Sequence, residues 1–450
     1  MNDSKQPKAE ASLTRRSFLK TTSTAVTGGA LLSTLPVERF ALGASPGDTL
    51  RVALVGCGGR GREAAVQALS TAGDLKLVAV ADAFQNNLEG GLKSIQHELR
   101  ERPERLALTE ETKFVGLDAY KKAIAMADVV VIATPPGFRP IHFEEAVRQG
   151  KHIFMEKPVA VDGPGVRRVL AAAEEAKKKN LKVGVGLQRR HQLGYLETVQ
   201  RLQDGAIGDL IALRVYWNGG PVGPKARRAD LEKSMGRPPT EMEYQVRNWY
   251  MFNWLCGDHI VEQHIHNLDV ANWVLGGYPL RAWGMGGRAY QKGPDSGEIF
   301  DHHAVQYEYA NGIRVFSECR QIPSCWGSVS EHVHGTKGTC DVGLYTIRGA
   351  NAWKYRGGGK NPYQQEHDDL FDAIRNDKPY NEAERGATSS LTAILGRMCT
   401  YSGKEISWDE AMKSQIDLMP SEFTWEAMPK VLPDANGLYS YAIPGKTVAV

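Results

Sequence analysis

Long apolar runs, cysteine clusters, charge of one sign and internal repeats are all scarce in this sequence of 450 residues. No stretch of 18 apolar residues occurs, so no helical membrane span is expected. The six cysteines are too few for a disulfide framework in so long a chain, and no C-x-x-C pair points to zinc. Cys57 falls in a glycine-rich turn, and Cys256 and Cys399 in apolar surroundings; pairing among Cys319, Cys325 and Cys340 is left open. A net charge of +3 gives no argument for a nucleic-acid partner or an anionic membrane surface. Without repeats, solenoids and propellers drop out. The length allows two domains or three, each with its own core.

The richest stretch is 49–82. An apolar run from Leu50 to Val55 reads as a buried parallel strand. Gly56-Cys57-Gly58-Gly59-Arg60-Gly61 follows, then a helical pattern, then a second apolar run ending in Asp82. Strand, G-x-G-x-x-G, helix, strand, acid is the dinucleotide-binding fingerprint in its full context. Gly56 allows the tight turn, Gly58 lets backbone approach a pyrophosphate, and Gly61 lets the helix lie close to the strand. Asp82 stands about 20 residues beyond Gly61, where an acid reaches a ribose 2′-hydroxyl. Its charge favours NAD over NADP, and Arg60 leaves NADP open.

Before that stretch, residues 1–45 have another character. Arg15-Arg16-Ser17-Phe18-Leu19-Lys20 is a twin-arginine signal, followed by a weakly apolar segment at 25–35 and small residues at 41–44. Export to the periplasm or another extracytoplasmic space is expected. That route carries folded proteins, so a cofactor would have to travel already bound, and tight retention is expected with it.

Past Asp82, residues 84–113 read as a helix with a long loop, 117–127 as a helix and 128–133 as a central strand. Thr134-Pro135-Pro136-Gly137 stops that strand at the carboxyl edge, where open α/β sheets hold ligands. A short helix at 142–149 and a strand at 152–155 lead into Glu156-Lys157-Pro158; a charged helix at 163–179 and a strand at 183–187 close the set. From Asp209 onward strand-like runs follow one another with few helices between, which indicates a mostly antiparallel sheet. The fold class expected is α/β: an N-terminal doubly wound parallel sheet of Rossmann type over 49–188, then an α+β region with a mostly antiparallel sheet over 189–405. Residues 221–247 look like a charged inserted loop near the site. Residues 406–450 form a tail that wraps the surface or reaches a partner subunit.

Gly56-x-Gly-x-x-Gly61, Thr134-Pro135-Pro136 and Glu156-Lys157-Pro158 together resemble the glucose–fructose oxidoreductase, inositol dehydrogenase and MocA-like family. The likeness continues through Gly186-Leu187-Gln188-Arg189-Arg190, Ile207-Gly208-Asp209, the helix around Glu262 and His266, and Glu366-His367. It spans roughly 50–405, and the Glu-Lys-Pro element is its most specific mark. The resemblance implies an NAD(P)-dependent oxidoreductase acting on a hydroxyl carbon of a sugar, sugar derivative or cyclitol, and a homo-oligomer, dimer or tetramer. It implies cofactor contacts from Gly56, Gly58, Gly59, Arg60, Gly61, Asp82, Thr134, Pro135, His142, Glu156 and Lys157. Lys157 is the family's catalytic lysine by this match, and the Lys157–Pro158 bond is a candidate for cis.

The second constellation runs from Gly257 to Asp269 and reads as one helix, with Asp258 as its cap. Glu262 and His266, four apart, share a face, and Asp269 is placed to orient the histidine. An imidazole titrating near neutrality suits removal of a hydroxyl proton while hydride leaves the same carbon. The resembled dehydrogenases usually carry aspartate and glycine where this chain has Glu262 and His264, so the substrate pose cannot be copied from them. His259, Glu262 and His266 at i, i+3 and i+7 raise a metal reading; neither H-E-x-x-H nor H-x-x-E-H occurs, and no metal is expected. Arg190, His191 and Trp249 are expected at the substrate beside Glu262 and His266, with Arg247, Asn248 and Trp254 as further linings suited to a polyol. Two alternatives stay open: a glycosidase working by transient oxidation and elimination, and a nucleotide-locked sugar-binding protein.

Overall fold

The computed structural model describes residues 48–450; the twin-arginine motif lies outside them. Six strands, Leu50–Val55 (β1), Leu75–Asp82 (β2), Lys113–Val115 (β3), Val129–Ile132 (β4), His152–Met155 (β5) and Val183–Val185 (β6), form one sheet in the order β3-β2-β1-β4-β5-β6. All of its pairings are parallel, and the order reverses between β1 and β4, the crevice where doubly wound sheets hold ligands. The central strands are apolar on both faces because helices cover both: every residue of β4 and β5 is buried. Each such side chain contributes about 1.5–3 kcal/mol of burial.

The glycine turn has the steric logic of its fingerprint. Gly56 takes a φ of +97°, and a Cβ there would lie 2.8 Å from the Ala133 backbone. A Cβ on Gly61 would stand 1.8 Å from the Gly56 carbonyl oxygen, so the helix Gly59–Leu69 could not dock on β1 and β4.

The second sheet has nine strands: Leu210–Gly219 (β7), Arg281–Gly287 (β8), His302–Glu308 (β9), Arg314–Gln321 (β10), Ser328–Gly335 (β11), Gly338–Asp341 (β12), Thr346–Gly349 (β13), Trp353–Lys354 (β14) and Ile406–Ser407 (β15). Their order is β14-β13-β12-β11-β7-β10-β9-β8-β15, antiparallel except for the β7–β10 pair. All six cysteines are free. Cys319 on β10 and Cys340 on β12 are held apart by β7 and β11, three strand spacings of about 4.8 Å, beyond the reach of a disulfide.

Chain order and spatial layer part company near the end. Leu370, Phe371 and Ile374 of the helix Pro362–Arg375 join the core beneath the parallel sheet. The segment joining it to the helix Ala383–Ser402 pairs with β6: Val183 N donates to Tyr380 O at 2.9 Å and Glu382 N to Val183 O at 2.9 Å. The tail folds back on its own chain, where Tyr439 packs among Tyr244 and Phe252.

One expected element is broken. In place of a single helix from Asp258, a turn His259–Glu262 and a helix Ile265–Leu275 are separated at Gln263 and His264. Asp258 does cap the start, its carboxylate accepting from His259 N and, at 2.9 Å, from Phe300 N. His264 Nε2 is tied to Ser317 Oγ at 2.8 Å on β10, which anchors the break against the second sheet.

Candidate active site

A cleft of about 810 Å³ runs from the glycine turn to the broken helix. At one end the Asp82 carboxylate is taken up by the turn itself: Oδ2 accepts from Cys57 N at 2.7 Å and Oδ1 from Phe84 N at 2.9 Å. Burial pushes its pKa up against those bonds. Gly58 and Gly59 open onto the cleft at the N-terminus of the helix Gly59–Leu69, with nothing within 4 Å of where a Cβ would stand. Backbone N–H groups at a helix start facing open space fit a pyrophosphate. Arg60 lines the cleft but is not free to read a 2′-phosphate. Its guanidinium is shared between Glu156, Glu366 (3.2 Å) and Gln67 (3.0 Å), and stacks 4.7 Å from the Tyr363 ring centre.

In mid-cleft, after β4, Thr134 Oγ1 lies 3.1 Å from His142 Nδ1. Burial, reinforced by Arg139, lowers the His142 pKa to about 3, so its ring is neutral; it packs 4.0 Å from Tyr120. Pro135 also lines this stretch.

The far end is built from three distant segments. The Lys157–Pro158 bond after β5 is cis. Lys157 Nζ donates to the Glu262 carbonyl oxygen at 2.5 Å and lies 3.5 Å from Glu262 Oε1. Burial raises the Glu262 pKa, against the opposing pull of Lys157 and Arg139. Burial also holds His266 well below the usual imidazole range, helped by the positive charges of Lys157, Arg189 and Arg60. The imidazole is therefore neutral at pH 7. Its ring stacks on Trp217 of β7, with centres 5.7 Å apart and planes 23° apart, and Arg189 lies 5.9 Å from the same indole. Gln188 Nε2 donates to Tyr363 Oη at 3.0 Å. Glu262 Oε2, His266 Nδ1 and Gln188 Oε1 are buried without a protein hydrogen-bond partner, all on side chains that line the cleft. Within the cleft these three atoms are free to bond a polar ligand.

Other expectations fail. Asp269 does not orient His266: its carboxylate is bound by Arg190 Nε and Nη2, each at 2.9 Å, and by Ser389 Oγ at 2.8 Å. Arg190 is thereby spent, and it does not line the cleft. His191 does not line the cleft; its ring nitrogens lie 2.6 Å from Asp369 Oδ2 and 3.4 Å from Glu382 Oε1. Burial opposes its charge, but those two carboxylates outweigh it and lift the pKa to about 9. Trp254 and Asn248 are used inside the fold, bonded to Gln245 and Ala226. Trp249 lines the cleft beside Lys225, while Arg247 lies at the Asp82 end, against Phe84. His259 Nδ1 lies 3.0 Å from Tyr250 Oη, and among the described residues no group of three or more His, Cys, Asp or Glu is placed to hold a metal ion. Trp217 and Tyr363 are not among the residues expected from sequence, and Gln188 enters there only as part of a motif. Nothing local ties Tyr363 to Gln188, 175 residues upstream.

Comparison with known proteins follows the same division. Residues 50–186 match the family model described as an oxidoreductase family with an NAD-binding Rossmann fold, and residues 195–341 match the GFO/IDH/MocA C-terminal domain. An inositol 2-dehydrogenase of Rhizobium meliloti (strain 1021) is 27% identical over 291 residues, 64% of this chain and 74% of that protein. Among solved structures, scyllo-inositol dehydrogenase of Lactobacillus casei with bound NAD(H) and scyllo-inositol is 18% identical with a TM-score of 0.59, covering 80% of this chain and 100% of that one. An aldose-aldose oxidoreductase of Caulobacter crescentus is 17% identical with a TM-score of 0.60 and the same coverage. At such identities the structural likenesses speak to the fold.

Proposed function

We propose that this chain, which belongs to the GFO/IDH/MocA oxidoreductase family and carries its NAD-binding Rossmann fold, oxidises a secondary hydroxyl of a cyclitol or sugar. The observation that carries the reading is the convergence of Lys157, Glu262 and a neutral His266 at one end of the cleft whose other end is the glycine cradle. NAD, when bound, supplies the acceptor for the hydride that leaves the carbinol carbon. The glycine turn and the start of the helix Gly59–Leu69 would hold its phosphates, and Asp82 its ribose.

The chain's own residues account for the proton. Neutral His266 takes the hydroxyl proton as the carbon–oxygen double bond forms. Lys157 Nζ has three N–H groups; one is used by the Glu262 carbonyl and another points toward its carboxylate, which leaves one for the reacting oxygen. That donor stabilises negative charge as it develops on oxygen. Glu262 and Gln188 accept from neighbouring hydroxyls, and Trp217 gives a flat face to C–H groups. The three unpartnered atoms suit a ligand rich in hydroxyls.

Absorbance at the nicotinamide band, with a panel of inositols and aldoses, tests the reading. Reduction of NAD by a cyclitol or aldose is expected. No reduction by any of them, or cleavage of a glycoside without net NADH, would overturn it. Export is inferred from the Arg15-Arg16-Ser17-Phe18-Leu19-Lys20 motif; fusion of residues 1–45 to a folded reporter checks it. Self-association through the open face of the second sheet is inferred from exposed Met285 and Phe316, and sedimentation measures it.

A further inference from the structure

We propose that the adenosine end of the cleft is completed by residues 220–251, with Arg247 and Lys225 as cofactor-binding residues, and that the C-terminal segment 423–441 latches them shut so that the dinucleotide stays bound between turnovers. The inference rests on the NAD site and is independent of the substrate class.

The floor of this end comes from the parallel sheet: Asp82, Phe84 and Asn86. The roof comes from elsewhere in the chain. The Arg247 guanidinium lies 3.9 Å from the Phe84 ring centre, and its two terminal nitrogens stand 3.4 and 3.5 Å from Asn86 Oδ1. Lys225 lines the same end, 5.7 Å from the Trp249 ring centre. Among the described residues neither cation has a carboxylate within ion-pair distance, although both feel Asp82. Partial burial, only partly offset by Asp82, lowers the pKa of each. Two partly desolvated cations without ion partners, lining the same cleft as the glycine cradle, suit an anionic ligand such as a dinucleotide.

The roof is not a loose loop. Its helix Glu241–Arg247 starts with a capping box, Thr240 with Glu243. It is then gripped by the tail. Tyr439 Oη donates to Glu241 and accepts from Arg228 Nη2 at 2.7 Å, while its ring stacks on Tyr244 with planes 3° apart. Gln245 Nε2 donates to Val431 O at 2.8 Å. The tail also reaches the floor: Trp425 lies 5.3 Å from Phe84 and Phe423 lies 5.7 Å from Phe138. A dinucleotide leaving this end must part Arg247 from Phe84, and the tail holds Phe84 and the helix that carries Arg247.

Release of NADH from the full-length holoenzyme, followed by loss of bound nicotinamide fluorescence on mixing with excess NAD, tests this with no substrate present. Wild-type protein is expected to keep its nucleotide through desalting and to release it over minutes or longer. Arg247→Ala should release it at least tenfold faster. Tyr439→Phe, which removes only a hydroxyl outside the cleft lining, should release it at least threefold faster with a melting temperature within a few degrees of wild type. Complete release within seconds by wild type, or wild-type release rates in both variants, would overturn the proposal. A protein that retains NADH but oxidises no polyol would fail the substrate reading and leave this one standing.

Discussion

The two ends of the cleft are polar for opposite reasons. At the adenosine end Asp82, the one acid there among the described residues that line the cleft, is already bonded to the backbone of the turn, and the surplus is positive charge from Lys225 and Arg247. At the catalytic end Lys157 is paired with Glu262 and Arg60 with Glu156 and Glu366, and what stands out is hydrogen-bonding capacity on buried side-chain atoms without a protein partner. One end is suited to bind an anion by field, the other to bind hydroxyls by geometry. The difference teaches where each kind of substitution should register.

The largest break is expected from His266→Ala. Loss of the general base should lower kcat/KM on the order of 10³-fold, with NAD affinity within twofold of wild type, measured by steady-state kinetics and fluorescence titration. Near-normal turnover would remove the histidine from the mechanism. At the other end, Gly61→Ala should weaken NAD binding at least 100-fold without a specific effect on the catalytic trio. The new Cβ meets the Gly56 carbonyl at 1.8 Å, and overpacking of this kind also costs about 1–3 kcal/mol of stability, readable by urea titration.

Trp217→Ala removes the indole stacked on His266 and should cost about tenfold in kcat/KM, the size of one aromatic contact. The pH–rate profile sharpens the same point. Because burial and three cations hold His266 well below the usual range, kcat/KM should stay flat from pH 8 down to pH 6. An acid limb with a midpoint at or above 6.5 would contradict a neutral buried base.

The smallest effect lies outside the cleft. His191 has a folded pKa of about 9 against about 6.5 in the unfolded chain, so its stabilising contribution is complete below pH 6.5 and is lost as pH rises through 9. The melting temperature should fall across that window, and His191→Gln should flatten the slope. An unchanged slope would mean that the pairs with Asp369 and Glu382 add nothing.

The parallel sheet was readable because its signals are local. Gly56, Gly61 and Asp82 answer to steric and hydrogen-bonding demands within one strand–turn–strand unit, and Lys157 is carried by a short motif at a strand end. The broken helix was not readable, because the apolar spacing from Ile260 to Val270 is helical and at the break His264 is bonded to Ser317 on a remote strand. Arg190 and Asp269 misled for a related reason: both types suit a site, and only packing shows that each is consumed by the other.

From the chain alone came the parallel nucleotide-binding sheet, the cradle and the acid after β2, all consequences of short-range backbone geometry. Tertiary structure alone decided that Trp217, Gln188 and Tyr363 meet Lys157 and His266, that Arg60 is neutralised, and that residues 220–251 and the tail close over the adenosine end. Those outcomes depend on which long-range contacts bury most apolar surface and satisfy most polar groups together, and no local pattern of residues encodes that sum.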